Sequence, residues 1–422
     1  MYKLYFKQAV EMLKQNKFIS IIAILGTALA IMMIMAIIVS DEIKNISVSP
    51  EINRDRTLYI YRQMTRDTIK GGMNSSSVKM DILKNYLSQL KTPELISAVD
   101  FNLYSPPSIV SREGDEKMIN ATVRKTDAAY WKLYAFPFIE GRPFGQAEFE
   151  SGTKDAVISI TAARTLFKGE QVLGQTIEID QIPYRIIGIV KDISPVFKLA
   201  YGDIWISYSS QKKFENENHL YNVMLLAQSK NDFPDIIDEV RKTEKKYDSE
   251  HERVLTLRGP ETHRVYNMEI WGNSNDQLKE NTNIENRKLI FILLILLFIP
   301  AINLSGLSFS RIKKRTSEIG VRKAFGAKRH IILIQVLMEN LITSFLGGII
   351  GLFFSYLVVF QMRHWLLGIP ADSPIPISTL ISFPVFLLVI IICMLVNLLS
   401  AGFPAYKASK MTIVNSLNQN DK

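Results

Sequence analysis

One cysteine, Cys393, stands among 422 residues, and it falls in an apolar stretch near the C-terminus. A disulfide framework is therefore excluded, and so is any thiolate metal cluster; the expected role of Cys393 is that of a small buried hydrophobe. Histidine is scarce as well. His219, His251, His263, His330 and His364 are scattered without the spacing of a zinc site. No G-x-x-x-x-G-K-[ST] phosphate loop and no G-x-S-x-G elbow occurs, so nothing argues for enzyme chemistry or a bound metal on this chain.

Charge is almost missing from four long stretches: Phe18–Val39, Leu289–Ser310, Ile331–Phe360 and Ser378–Phe403. A helix of about 22 residues rises about 33 Å, enough to cross the roughly 30 Å hydrocarbon layer of a membrane. The first stretch is too long for a cleaved signal core and lacks a small-residue cleavage site before Asp41, so it reads as an uncleaved anchor.

What charge there is carries orientation. The net charge is +9. Lys3, Lys7, Lys14 and Lys17 precede the first stretch, and eight Lys or Arg residues crowd positions 311–330 behind the second. Lys407, Lys410 and Lys422 follow the fourth, whereas residues 41–288 hold 34 basic and 36 acidic side chains. By the positive-inside rule both termini and the 311–330 loop are cytoplasmic, and the long segment faces outward. The basic excess is thus a topological signal, and nucleic acid is not an expected partner.

The expected organisation follows. A cytoplasmic arm (1–17) leads to helix 18–40, and a large extracytoplasmic domain (41–288) contains a possible inserted subdomain (126–192). Then come helix 289–310, a cytoplasmic loop (311–330), helix 331–360, a short outer loop (361–377), helix 378–403 and a cytoplasmic tail (404–422). The fold class is a membrane protein with four transmembrane helices and a mixed α/β domain between the first two. Within that domain, alternation predicts strands at Thr57–Arg62, Ala156–Ile160, Asp203–Tyr208, Asn222–Ala227 and Val254–Arg258, with a hairpin joining Thr176–Ile179 to Tyr184–Val190. Helical spacing predicts Ser75–Leu90, Thr161–Phe167 and Asp232–Tyr247, the last with Phe233, Ile236, Ile237 and Val240 inward. Tyr130, Trp131, Tyr134, Phe136, Phe138 and Phe144 interleave with turn residues, as core aromatics do.

Ionisable residues inside the spans are few. Glu339 is the main one, about two turns past the basic run, and is expected near the cytoplasmic interface within reach of Arg329 or His330. Gly26 with Ala30, and Gly347 with Gly351, are small residues at i, i+4 that suit close helix packing, within one subunit or between two.

The loop Arg311–His330 is the most informative stretch. Ser317 can cap a short helix with Glu318 in its first turn and Arg322 and Lys323 near its end, which suits the helix dipole, and Gly326 supplies the stop. Ile319, Val321, Ala324 and Phe325 offer an apolar surface, for a partner or for lipid.

The run Glu318-Ile319-Gly320-Val321-Arg322-Lys323-Ala324, followed by Gly326-Ala327, resembles the signature of the MacB/FtsX-type permeases of ABC transporters. Gly347, Gly348 and Gly351 suit that family's third span, and Pro404-Ala405 with Ala408 resembles its closing segment. Tyr130–Arg142, Ala156–Phe167 and Leu173–Asp192 resemble its MacB-like periplasmic core. Thr412-Ile413 departs from it where many relatives place a proline, and Pro300 interrupts the second span.

The resemblance implies a permease subunit of a bacterial inner-membrane ABC transporter, paired with a second permease subunit. ATP and magnesium would be held by a separate cytoplasmic ATPase, with no cofactor on this chain. Glu318, Ile319, Gly320, Arg322, Lys323, Ala324 and Gly326 would form the ATPase contact. Family roles include efflux of drugs or peptides with a periplasmic adaptor and an outer-membrane channel, lipoprotein release, and control of cell-wall hydrolases; the large outer domain favours efflux.

Overall fold

A computed structural model of the chain describes residues 11, 13–15, 17–42, 47–69, 71–100, 106–115, 117–211, 220–267, 275–314, 316–367 and 383–410. The chain divides into a helical unit (Met1–Glu42, Asn283–Leu366 and Pro376–Lys422) and a sheet-rich unit (Ile43–Thr282 with Leu367–Ile375).

The helical unit is built from Lys17–Glu42, Asn275–Lys314, Arg329–Leu367 and Phe383–Lys410, with the short helix Thr316–Ala324 between the second and third. Among the described residues three helices are long and apolar enough to cross a membrane: Lys17–Val39, Arg329–Gln361 and Phe386–Lys407. Leu289–Ser310 falls inside Asn275–Lys314, which stays helical through Pro300. The closing helix runs on through Pro404 to Lys410, past the expected end at Phe403. Ala401 and Ala405, one turn apart and both fully buried, hold that last stretch in place despite the proline.

Side-chain polarity in this unit is reversed relative to a water-soluble protein. Phe18, Ile21, Leu25 and Leu29 are exposed, as are Phe345, Ile349, Phe353 and Leu357, and Leu388, Ile391, Leu395 and Leu399. Thr27, Gln335, Glu339, Asn340, Thr343, Ser344 and Asn397 are buried. Hydrocarbon outside and polar groups paired inside is the arrangement lipid demands. The Asn397 amide donates to the Ser344 hydroxyl across two helices at 2.8 Å, and the Thr27 hydroxyl returns to the Ala23 carbonyl at 3.0 Å. The interior therefore carries more polar groups than charge counting alone indicated. Glu339 is 6% exposed and turns into the bundle. Helix continuity from Arg329 places it about 15 Å further along the axis, beyond a side-chain pairing with Arg329 or His330.

The small residues of the third long helix settle against the first. A Cβ on Gly347 would lie 2.7 Å from the Thr27 Cβ, and one on Gly351 would lie 2.9 Å from the Ala28 carbonyl oxygen. Gly348 meets Ile390 of the closing helix in the same way, at 3.0 Å. Gly347 and Gly351 thus serve packing within one chain. Ala30 is buried and Gly26 half-buried; the face of the first helix that meets these glycines is Ile24, Thr27, Ala28 and Ile31.

In the sheet-rich unit the long sheet runs, edge to edge, through Glu261–Thr262, Thr57–Ile60, Leu220–Leu226, Leu95–Asp100, Val123–Thr126, Ile204–Ser207, Asp155–Ser159, Ile182–Val190, Thr176–Ile179, Ser108–Arg112 and Met118–Ala121. Two pairings are parallel, Asp155–Ser159 with Ile182–Val190 and Val123–Thr126 with Ile204–Ser207. Helix Ile160–Phe167 makes the first of these crossovers possible. The Ser159 hydroxyl caps it by accepting the Ala162 amide, and Ala162, Ala163, Leu166 and Phe167 lie against the sheet. Asp180 and Gln181, both at positive φ, make the two-residue hairpin turn.

Two apolar cores form along this one sheet. The first gathers Leu58, Val78, Ile82, Val223, Leu225, Ile236, Val240 and Leu255. The second gathers Val110, Ala156, Ile158, Phe167, Ile177, Ile186 and Ile204, and so reaches beyond the 126–192 segment on both sides. Tyr130, Tyr134, Phe136 and Phe144 are buried, and Trp131 packs edge-on to Tyr130 and Phe144.

Two expectations need correction. The Ser75–Leu90 helix shrinks to Met80–Asn85 plus a turn at Leu87–Gln89, because Met73–Ser76 and Val78–Lys79 pair as strands with Gln63–Arg66 and Leu220–Tyr221. Its apolar positions are nevertheless inward. Thr57–Arg62 splits at Tyr61: Thr57–Ile60 joins the long sheet, and Arg62–Asp67 joins a three-stranded sheet with Arg253–Arg258 and Met73–Ser76.

Charge is buried where the segment after the first helix meets the segment before the second. Glu51 and Arg54 are each 2% exposed, and Arg54 Nε donates to Glu51 Oε2 at 2.5 Å. His263 Nε2 lies 3.5 Å from the same oxygen. Burial raises the Glu51 pKa, but the Arg54 charge and His263 outweigh it and hold it at about 2. Burial also pushes His263 below its ordinary value. An unfolded chain takes up these protons at higher pH than the fold does, so stability is complete above about pH 6.5 and falls with acid, most steeply between about 4.5 and 2. Glu51→Gln should flatten the acid limb of a tryptophan-fluorescence unfolding curve; an unchanged slope would show that Glu51 is not the titrating group.

Candidate functional site

Helix Thr316–Ala324 is nine residues long, too short to persist without tertiary anchors. It has three. The Thr316 hydroxyl donates to the carbonyls of Ile312 and Lys313, at 3.2 and 2.9 Å, tying its start to the end of the preceding helix. The helix thus begins one residue before the expected Ser317 cap. Ile319 packs with Ile312 and Ile332, with Val336 alongside, and so wedges between the adjoining ends of two long helices. Arg322 Nη1 donates to Gln335 Oε1 at 2.8 Å, and its Nη2 pairs with Glu318 Oε1 at 2.5 Å.

The helix stops where Gly326, at φ +87°, lets its own amide reach the Lys323 carbonyl and the Ala327 amide reach the Arg322 carbonyl, both at 3.0 Å. A side chain other than glycine is strained in that conformation. The stop leaves Phe325 at the tip, 89% exposed, with Val321 46% exposed one turn earlier and Ala324 beside it.

Seven residues were singled out as a contact surface, and the fold sorts them. Ile319 and Gly320 are buried, Ile319 against the long helices. Glu318, Ala324 and Gly326 are exposed, and Arg322 and Lys323 are half-exposed. Burial, then the Arg329 charge, pushes the Lys323 ammonium below its ordinary pKa. The apolar surface is therefore Val321, Ala324 and Phe325, without Ile319. Sequence reasoning placed Phe325 on that surface but did not include it among the contact residues. An aromatic directly before the stopping glycine, one turn after Val321 on the same face, was the available signal.

Ile319 carries the seating. Truncating a buried Ile costs about 2 kcal/mol or more, over tenfold in the population of the released helix. Trypsin should accordingly cut membranes of Ile319→Ala faster at Arg322 and Lys323 than wild type. Equal rates would mean the helix is held by its hydrogen bonds alone.

Two family models match this chain. The MacB-like periplasmic core domain matches residues 20–243, over half of the chain. The FtsX-like permease C-terminal domain matches residues 290–413. The chain belongs to the MacB/FtsX family of ABC transporter permeases.

Relatives agree along almost the whole length. The macrolide export ATP-binding/permease protein MacB of Bdellovibrio bacteriovorus is 24% identical over 419 residues, 97% of this chain and 61% of that protein. The ABC transporter permease YknZ of Bacillus subtilis is 23% identical over 97% of this chain and 98% of its own. This MacB/FtsX-type chain thus spans less than two thirds of the MacB relative and nearly all of the YknZ one. Among solved structures, the extracellular domain of YknZ matches 48% of the chain with a TM-score of 0.37 at 16% identity. The periplasmic region of MacB from Actinobacillus actinomycetemcomitans matches 52%, also with a TM-score of 0.37, at 15% identity.

As a member of this family the chain is a permease component of an ABC transporter, and its sheet-rich unit falls largely within the match to the MacB-like periplasmic core domain. Among the described residues no group of three or more His, Cys, Asp or Glu is placed to hold a metal.

Proposed function

We propose that this permease is a four-span subunit that converts ATP hydrolysis by a separate cytoplasmic ATPase into movement of its outer domain. The observation that carries the reading is the division of labour in Thr316–Phe325. One face offers Phe325 and Val321 outward, and the other drives Ile319 between Ile312 and Ile332. A push on the exposed face reaches the ends of two long helices through one side chain, and a close-packed contact transmits displacement.

In this reading ATP and magnesium reside on the partner, two permease subunits assemble with two ATPases, and both termini lie in the cytoplasm of a bacterial inner membrane. Leu289–Ser310, the second apolar stretch in chain order, completes the four spans. The sheet-rich unit moves whatever it grips outside. Export is the proposed output, of drugs, peptides or other periplasmic compounds, supported by the name of the MacB relative and by the large α/β domain shared with it. A periplasmic adaptor and an outer-membrane channel would then complete the path.

Purification of the native complex in mild detergent, with every subunit identified by mass spectrometry, tests this. An ABC ATPase in equal amount is expected, and its absence overturns the reading. An adaptor in the same complex supports export; a cell-wall hydrolase in its place would assign the movement to regulation, and neither would favour lipoprotein release.

A further inference from the structure

The two stretches that join the sheet-rich unit to helices Lys17–Glu42 and Asn275–Lys314 are fastened to each other inside that unit. Their backbones pair, Leu58 with Thr262 and Tyr59 with Glu261. Around that pairing lies the buried trio of Glu51, Arg54 and His263 described above. Tyr266 stacks on Tyr59 at 5.1 Å between ring centroids and meets Tyr61 edge-on at 5.6 Å. The Asn267 amide lies 3.2 Å from His263 Nδ1. The same Asn267 nitrogen lies 3.4 Å from His263 Nε2.

The joint is also moored to the body of the domain. The Arg54 guanidinium lies 4.7 Å over the Phe197 ring. The Ser49 hydroxyl donates to the Ala135 carbonyl at 2.9 Å, the Ala135 amide to the Pro50 carbonyl at 2.8 Å, and the Asn53 amide group to the Leu133 carbonyl at 2.8 Å.

A buried ion pair is a poor source of net stability, since apolar side chains of similar size do as well or better. What it adds is direction: a charge pair out of water tolerates little displacement before its desolvation is uncompensated.

We propose that Glu51, Arg54 and His263 form a charge-pinned joint that locks residues 47–60 and 258–267 to each other as one rigid block inside the sheet-rich unit. That the block is moved by ATP hydrolysis rests on the reading above; its rigidity does not.

The test uses the full-length permease in lipid nanodiscs with its ATPase, in a Cys393→Ala background, with spin labels on Ile52→Cys and Thr262→Cys, two exposed positions on opposite sides of the joint. One narrow distance is expected without nucleotide and again with ATP and vanadate. Glu51→Met with Arg54→Met removes both charges at similar volume, keeping the core filled; it should broaden the distribution and add a longer population. Arg54→Leu alone, which strands Glu51, should broaden it further. A double variant as narrow as wild type, or a wild-type distance that shifts with nucleotide, overturns the joint. Should no ATPase bind the wild type, the ATP-driven reading falls, and the nucleotide-free comparison still decides the joint.

Discussion

Phe325→Asp is expected to abolish co-purification of the ATPase while leaving the permease in the membrane. Phe325 is 89% exposed, follows the last turn of its helix and contributes nothing to the Ile319 wedge. Its replacement removes no packing from the fold, so insertion and expression should be unchanged. The partner would lose the burial of a whole aromatic side chain, about 1.5–3 kcal/mol, and would meet a charge in an apolar socket. Together these lower affinity by about a hundredfold or more, enough to lose the partner during washing. Phe325→Tyr should retain most of the binding. If Phe325→Asp copurifies normally, the aromatic is a lipid anchor and docking belongs elsewhere.

Gly320, which the sequence pattern makes an attractive target, is the worse probe. It is buried, so a tryptophan in Gly320→Trp has no free surface to occupy and would displace the short helix itself. Loss of the ATPase in that variant would not distinguish a blocked surface from a displaced one.

The contrast between these residues shows what could be read in advance. Charge placement and a stopping glycine made the short helix legible, because capping and dipole effects act within a turn or two. Which of its faces points inward was not legible. That depends on Ile332 and Gln335, which belong to the next helix. Strands 155–159, 204–207 and 220–226 were recoverable from local patterning, whereas residues 75–79 were lost to a helical reading because their partners include Gln63 and Tyr221. The Glu51–His263 contact left no local trace. Neither residue has a charged periodicity around it, and each looks like an ordinary surface residue until the sheet brings strand 57–60 beside residues 261–262.

Gly259→Ala is expected to be the most destabilising of the small substitutions in the outer domain. Gly259 has φ +100°, and a Cβ there would lie 2.1 Å from the Tyr59 carbonyl oxygen and 3.1 Å from the Ile60 Cα. Both are backbone atoms of a strand paired on each side, with Leu220–Leu226 and with Glu261–Thr262, so the strand has little room to retreat. Gly259 cannot easily retreat either. Arg241 holds its carbonyl at 2.9 Å and that of Leu257 at 3.2 Å, and Glu244 accepts the Leu257 amide at 2.6 Å.

Backbone strain and forced overpacking then add, to about 3–5 kcal/mol. Gly114→Ala is the matched control: φ is +76°, but nothing lies within 4 Å of the added carbon. Its cost should stop at the left-handed penalty of about 1–2 kcal/mol. Thermal unfolding of the two full-length variants, followed by tryptophan fluorescence, separates them; equal midpoints would mean that the Gly259–Tyr59 contact is looser than the structure has it. Gly259 leads from Arg253–Arg258 into the pairing with Tyr59 that the Glu51–Arg54–His263 joint surrounds, so a variant that survives folding should also free the returning stretch from the ascending one.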